Sequence, residues 1–124
     1  MNSDRLADYL GHIRLAAEDA RRFVRGMDKA TFEGDIRTQR AIVMSLIIVG
    51  EAATKVMDQF PDFTIAHPEV PWRSMRGMRG MRGMRNRIAH GYFETNLDMV
   101  WDTVLTALPD LLAQLPIAPP APPA

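Results

Sequence analysis

Apolar residues recur along this chain at helical spacing, and no run alternates as a half-buried strand would. Leu6, Leu10, Ile13, Ala17, Ala20 and Val24 mark one face of a long amphipathic helix. Ser3 stands where an N-cap belongs, with Asp4 in the first turn, and Gly26 suits the helix end. Met27 to Asp35 reads as a connector. A second helix is expected from about Ile36 to Phe60, with Pro61 as its stop. It is apolar on most faces from Ile42 to Val49, which places it centrally in a bundle. Asp62 to Val70 is expected to be a loop or a short helical turn. A third helix should start near Pro71, run to about His90 and stop at Gly91. A fourth covers Leu97 to Leu115, with Asn96 as its cap and Pro109 as a point where it can kink. Leu97, Val100, Trp101, Val104, Leu105 and Leu108 form its inner face.

These elements predict an all-α fold, an antiparallel four-helix up-down bundle with room for a short fifth helix. The helical domain is expected over residues 1–115. The Pro- and Ala-rich tail, 116–124, is expected to be disordered or polyproline II. A length of 124 residues fits one such domain.

Charge changes the picture only through its distribution. Lys plus Arg and Asp plus Glu are equal at 15 each, yet Pro71 to Phe93 holds six arginines and no acid. There are no cysteines, which removes disulfides, thiolate metal sites and cysteine nucleophiles. Met1 to Asp8 lacks an apolar signal core, and the apolar run Ala41 to Gly50 is too short to span a bilayer. The expectation is a soluble, cytoplasmic protein without a membrane partner.

Inside the basic segment, Met75-Arg76-Gly77, Met78-Arg79-Gly80 and Met81-Arg82-Gly83 repeat one triplet, and Met84-Arg85 begins a fourth. Three residues turn an α-helix by about 300°, so successive copies drift by about 60°. On an α-helix the methionines therefore form no single buried stripe, and the arginines no single edge. Two readings follow: a duplication that the fold tolerates, or an added element whose arginines face RNA phosphate.

Arg85 and His90 carry the candidate chemistry. Histidine moves protons near neutral pH, and arginine stabilises a phosphate or phosphorane. Together they suit metal-free RNA cleavage with the 2′-OH as internal nucleophile. A five-residue step leaves them about 140° apart on a helix, so they share a face only loosely. The same spacing also fits a surface arginine beside a histidine that answers helix C-terminal carbonyls. One motif histidine is short of an acid and base pair, and a two-fold homodimer would supply the second.

Arg85-Asn86-Arg87-Ile88-Ala89-His90-Gly91-Tyr92 resembles the Arg-x4-His-x-Tyr motif of HepT-like toxins, a branch of the HEPN superfamily. Gly50-Glu51-Ala52-Ala53, Pro71-Trp72-Arg73 and Asn96-Leu97-Asp98-Met99-Val100-Trp101 resemble other segments of that family, so the likeness covers most of residues 4–115. It implies a dimeric HEPN-type bundle that cleaves RNA without metal or cofactor. Arg85 and His90 match the catalytic pair and Asn86 the polar position after the arginine. Arg82, before the pair, and Arg87, between its two members, are expected to bind RNA. Tyr92 matches the tyrosine to which a nucleotidyltransferase antitoxin transfers AMP from ATP, silencing the toxin. The triplets depart from the family, which places Gly-Met-Arg-Asn soon after the tryptophan; here two extra triplets intervene.

Other residues have plainer readings. Glu51, in an apolar helix, calls for a cationic partner, with Arg85 or Arg87 as candidates. His12 pairs most simply with Asp8 on the surface. His67 and Glu69 are too few for a metal site. Trp72 and Trp101 read as core anchors. The alternative functions are a catalytically silent HEPN subunit that helps a nucleotidyltransferase bind its substrate, and a plain helical adaptor.

Overall fold

The computed structural model describes residues 2–80 and 94–116. Among these the secondary structure is helical throughout. Helix α1 (Asn2–Phe23) and helix α3 (Ile36–Gln59) are the two long elements and pack along each other. They run antiparallel: Tyr9 near the start of α1 donates to Gln59 at the end of α3, at 3.4 Å. Ile13, Ala17, Ile42, Leu46 and Val49 are fully or almost fully buried between them and their neighbours. The hydrophobic face read at helical spacing is thus the observed core face.

Asn2 is already helical, so Ser3 lies within the first turn rather than before it. The α-helix ends at Phe23, and a turn carries the chain to Gly26, whose φ of 78° is the left-handed conformation that glycine adopts without Cβ strain. The expected connector from Met27 to Asp35 contains a further helix, α2 (Lys29–Glu33). Two aspartates build this corner. Asp28 accepts from the Thr31 amide at 2.8 Å and caps α2; Asp35 accepts from the Thr38 amide at 3.1 Å and caps α3. Phe32 is fully buried, and that burial holds so short a helix in place.

Helix α4 (Pro61–Ala66) follows, with Pro61 in its first turn; the residue that stops α3 also starts α4. Helix α5 (Trp72–Gly77) then runs antiparallel to α3, since Arg76 reaches Asp58 while Arg79 lies against Gly50. The expected regular α-helix from Pro71 gives way at Met78–Gly80 to a 3-10 turn. Met75 and Met78 are both buried, at 0% and 7% exposure, while Met81 and Met84, which the expectation of no single buried stripe also covers, lie outside the described residues. A single 60° drift still falls within an apolar face about 100° wide. A 3-10 turn has three residues per turn, so over Met78–Gly80 the helix period equals the triplet period.

Helix α6 (Glu94–Asp102) begins before Asn96, which is therefore inside the helix and not its cap. It continues through a π-helical turn (Thr103–Ala107) into helix α7 (Leu108–Gln114). Pro109 is the physical reason for this widening. It has no N–H to offer the Leu105 carbonyl four residues back. The ladder shifts instead, with the Leu108 amide donating to the Thr103 carbonyl five residues earlier. Val100, Val104, Leu108 and Leu111 remain buried through the change, while Leu105, expected on the inner face, is half exposed. Arg14 donates to the Leu115 carbonyl at 2.9 Å and ties the end of α7 to the middle of α1.

Candidate functional site

Arg82, Arg85, Asn86, Arg87, His90 and Tyr92 lie outside the described residues, as do Met81, Met84 and residues 117–124 of the tail. The structure shows the two supports between which that stretch of chain begins and ends.

On the leading side, α3 and the 3-10 turn touch backbone to backbone. A Cβ added at Gly50 would overlap the Arg79 amide nitrogen and come within 2.9 Å of the Arg79 Cα and the Met78 carbonyl carbon. Only a residue without a side chain permits this approach. The buried Thr54 hydroxyl donates to the Gly50 carbonyl at 2.8 Å, one turn further along. Met75 and Met78 sink into the core on one side of the turn, and on the other Arg79 faces solvent. Arg76 is drawn to Asp58 of α3 at 2.6 Å. The two described arginines of the repeat thus differ: one binds the bundle and the other is exposed. Glu51, next to Gly50, is half-buried on α3.

On the trailing side, α6 is held by Leu97, Val100 and Trp101, all buried. The Trp101 ring lies against Phe32 of α2 with centroids 5.1 Å apart. Lys29 of α2 meets Asp98 of α6 at 2.7 Å. That carboxylate, through its hydrogen bond, holds the Lys29 ammonium above its ordinary range. Gln39 supports this corner from within. Its side-chain amide is 1% exposed and donates to the carbonyls of Phe32 and Glu33, both at 2.9 Å, closing the end of α2.

Both tryptophans are core residues, as expected, at 6% and 8% exposure. The Trp72 indole donates to the His67 carbonyl at 3.0 Å. His67 contacts the Phe63 carbonyl at 2.9 Å and lies over the Phe63 ring, so its part is in packing α4. His12 and Asp8 are both exposed on α1. No helix among the described residues is long and apolar enough to cross a membrane.

Sequence reasoning missed three contributors. Gly50 was recognised as part of a segment without a physical role; a glycine inside an apolar helix is the signal for close backbone approach. The two caps could have been read from Asp28-x-x-Thr31 and Asp35-x-x-Thr38. Gln39 gave no signal, because a polar residue near a helix start reads as exposed.

Comparison with known proteins matches residues 13–116 to the family described as ribonuclease HepT-like. A protein named probable ribonuclease HepT, from Thermococcus cleftensis, is 36% identical over 104 residues, covering 84% of this chain and 86% of the relative. A candidate RNase of Caldanaerobacter subterraneus subsp. tengcongensis is 34% identical over 107 residues, with 86% and 88% covered. Another from Methanocaldococcus jannaschii is 31% identical over 93 residues, with 75% and 69% covered. No solved structure matches the chain significantly. The matched span holds both supports of the basic segment and the whole Arg85 to Tyr92 motif, and the chain belongs to the ribonuclease HepT-like family.

Proposed function

We propose that this chain is a metal-independent endoribonuclease acting as the toxin of a toxin-antitoxin pair. The observation that carries the reading is the family match across residues 13–116, which includes Arg85-Asn86-Arg87-Ile88-Ala89-His90-Gly91-Tyr92. In this reading the RNA 2′-oxygen attacks the adjacent phosphorus, the 5′-oxygen leaves, and a 2′,3′-cyclic phosphate remains. His90 transfers the proton, and Arg85 stabilises charge on the phosphorane. Asn86 helps to hold the phosphate, and Arg82 and Arg87 bind the RNA backbone. Two protomers supply two His90 side chains, one as base and one as acid. Met44 and Ile48, one turn apart on α3 and 42% and 40% exposed, support a contact with a second copy.

Regulation in this reading is AMP transfer from ATP to Tyr92 by a nucleotidyltransferase. The added phosphate pairs with the cations that bind RNA and competes for them.

The test incubates purified protein with single-stranded RNA in the presence of EDTA. Cleavage should continue and leave cyclic-phosphate ends, and His90→Ala should lower the rate by at least about 100-fold. Cleavage abolished by EDTA, or undiminished in the variant, overturns the mechanism. Mass spectrometry after treatment with the transferase and ATP should find AMP on the wild type and none on Tyr92→Phe.

A further inference from the structure

The C-terminal end of α1 and the π-helical turn border an open cavity of about 590 Å³ that is separate from the supports of the basic segment. Arg21, Arg22 and Arg25 line it with Glu18, together with apolar Val104 and Pro109. Arg22 is paired with Asp19. Arg21 and Arg25 are exposed and form no ion pair among the described residues.

Helix-terminal arginines often answer the last carbonyls of their own helix. Here the Arg25 amide donates to the Arg22 carbonyl at 3.1 Å, and past the helix end the Met27 amide donates to the Val24 carbonyl at 2.9 Å. Nearby, Lys29 is engaged by Asp98. Among the residues that line this cavity, Arg21 and Arg25 are therefore the cations without an ion pair to a described residue. No aromatic ring lines it. What it offers is charge-assisted hydrogen bonding to anionic oxygens, which guanidinium geometry favours. Its π-turn wall is a distortion common at functional sites.

We propose that Arg21 and Arg25 form a remote phosphate-binding site for the backbone of single-stranded RNA, a second anchor point beyond the Arg85 to His90 motif. The inference rests on RNA being the substrate, as proposed above. Position supports it. Val104 in the cavity wall and Glu94, where the chain leaves the basic segment, are ten residues apart on one continuous helix, or about 15 Å at about 1.5 Å per residue. A stacked strand advances about 3.4 Å per nucleotide, so about four to five nucleotides bridge that length. A dinucleotide is shorter than that span, whereas a dodecamer exceeds it. Glu18 shares the cavity with the two arginines and opposes an anion there, which supplies an independent handle.

The test uses the full chain and two RNAs. A fluorescent dodecamer with every 2′-OH methylated reports binding without cleavage, and a dinucleotide reports cleavage alone. Arg21→Glu/Arg25→Glu should weaken dodecamer binding at least tenfold. It should also reduce the slope of log affinity against log salt by about 1.4, at about 0.7 for each phosphate that is no longer neutralised. Dinucleotide cleavage should stay within twofold of wild type, and Glu18→Gln should tighten dodecamer binding. Unchanged dodecamer affinity and slope in the charge-reversal variant overturn the proposal. So does a matching loss of dinucleotide cleavage, which places these arginines in the reaction itself, or inorganic phosphate binding that the arginines control with no effect on RNA. If wild type binds the dodecamer through these arginines yet cleaves neither the dinucleotide nor an unmethylated dodecamer, the remote site stands and the nuclease reading fails.

Discussion

Gly50 decides how close the chain that leads to the motif can come to α3. Its missing Cβ is the space occupied by the backbone of Met78 and Arg79. Gly50→Ala should therefore destabilise the fold by about 1–3 kcal/mol through overpacking. It should also lower RNA cleavage, because the turn feeding Arg85 must move. Gly11, on the exposed side of α1, has nothing within 4 Å of an added Cβ. Gly11→Ala should stabilise by about 0.5–1 kcal/mol. Thermal melts of the two variants check the contrast; equal effects would mean that the close approach at Gly50 carries no weight. At the α3 start, hydrogen bonds from the Thr38 amide and hydroxyl hold the Asp35 carboxyl below its ordinary 3.8. A depressed folded pKa gives stability that is present above the unfolded value and lost as pH falls through the folded one. Asp35→Ala should accordingly melt below wild type at pH 7. The difference should close as the pH drops below 3.8, while a gap that persists in strong acid would assign the cap to something other than the charge.

The triplet repeat acts at the scale of an element. Between Met78 and Gly80 the chain has changed to a helix of three residues per turn, matching the repeat. Deleting Met78 to Gly80 returns Met, Arg and Gly to the positions just vacated, because the next triplet has the same sequence. The contact with Gly50 should survive, and stability should change by less than about 1 kcal/mol, a small effect on the scale of ordinary substitutions. Deleting only Met78 and Arg79 instead puts glycine at the buried methionine position. That should cost about 1.5–3 kcal/mol, the worth of burying such a side chain. Denaturant melts distinguish the two deletions; an equal loss in both would show that the triplet period does not organise this turn. The π-helical turn before Pro109 is a second case of an element set by a single residue, with one missing N–H displacing the ladder while Val104 and Leu108 stay buried.

At the scale of the whole molecule, the proposed two-histidine chemistry requires a second protomer. The half-exposed Met44 and Ile48 lie on the same outward side of α3, with exposed Arg37, Arg40 and Lys55 along that side. Ile48→Asp should leave helicity intact and convert a sedimenting dimer to a monomer, with RNA cleavage falling in step. A wild-type chain that sediments as a monomer at working concentration, yet cleaves RNA, would remove the shared site.

The long helices were legible because amphipathic periodicity is a local property. Leu6 to Val24 and Ile42 to Val56 announce their buried faces wherever the rest of the chain goes. The candidate chemistry was proposed from the sequence alone, since Arg85, His90 and Tyr92 fall in one contiguous motif. Membership of the family followed from several such motifs in order. Packing between distant segments decided the rest. Phe32 makes a helix of α2 only because Trp101, nearly seventy residues later, covers it. Gln39 is buried only because the carbonyls at the end of α2 need donors. Met78 stays inward, and Gly50 must be a glycine, because α3 and the 3-10 turn meet backbone to backbone. Arg21 and Arg25 share a cavity because the π-turn brings Val104 and Pro109 to the end of α1. Helical period is written in neighbouring residues, whereas close approach, cavity and cap depend on which surfaces the folded chain brings together.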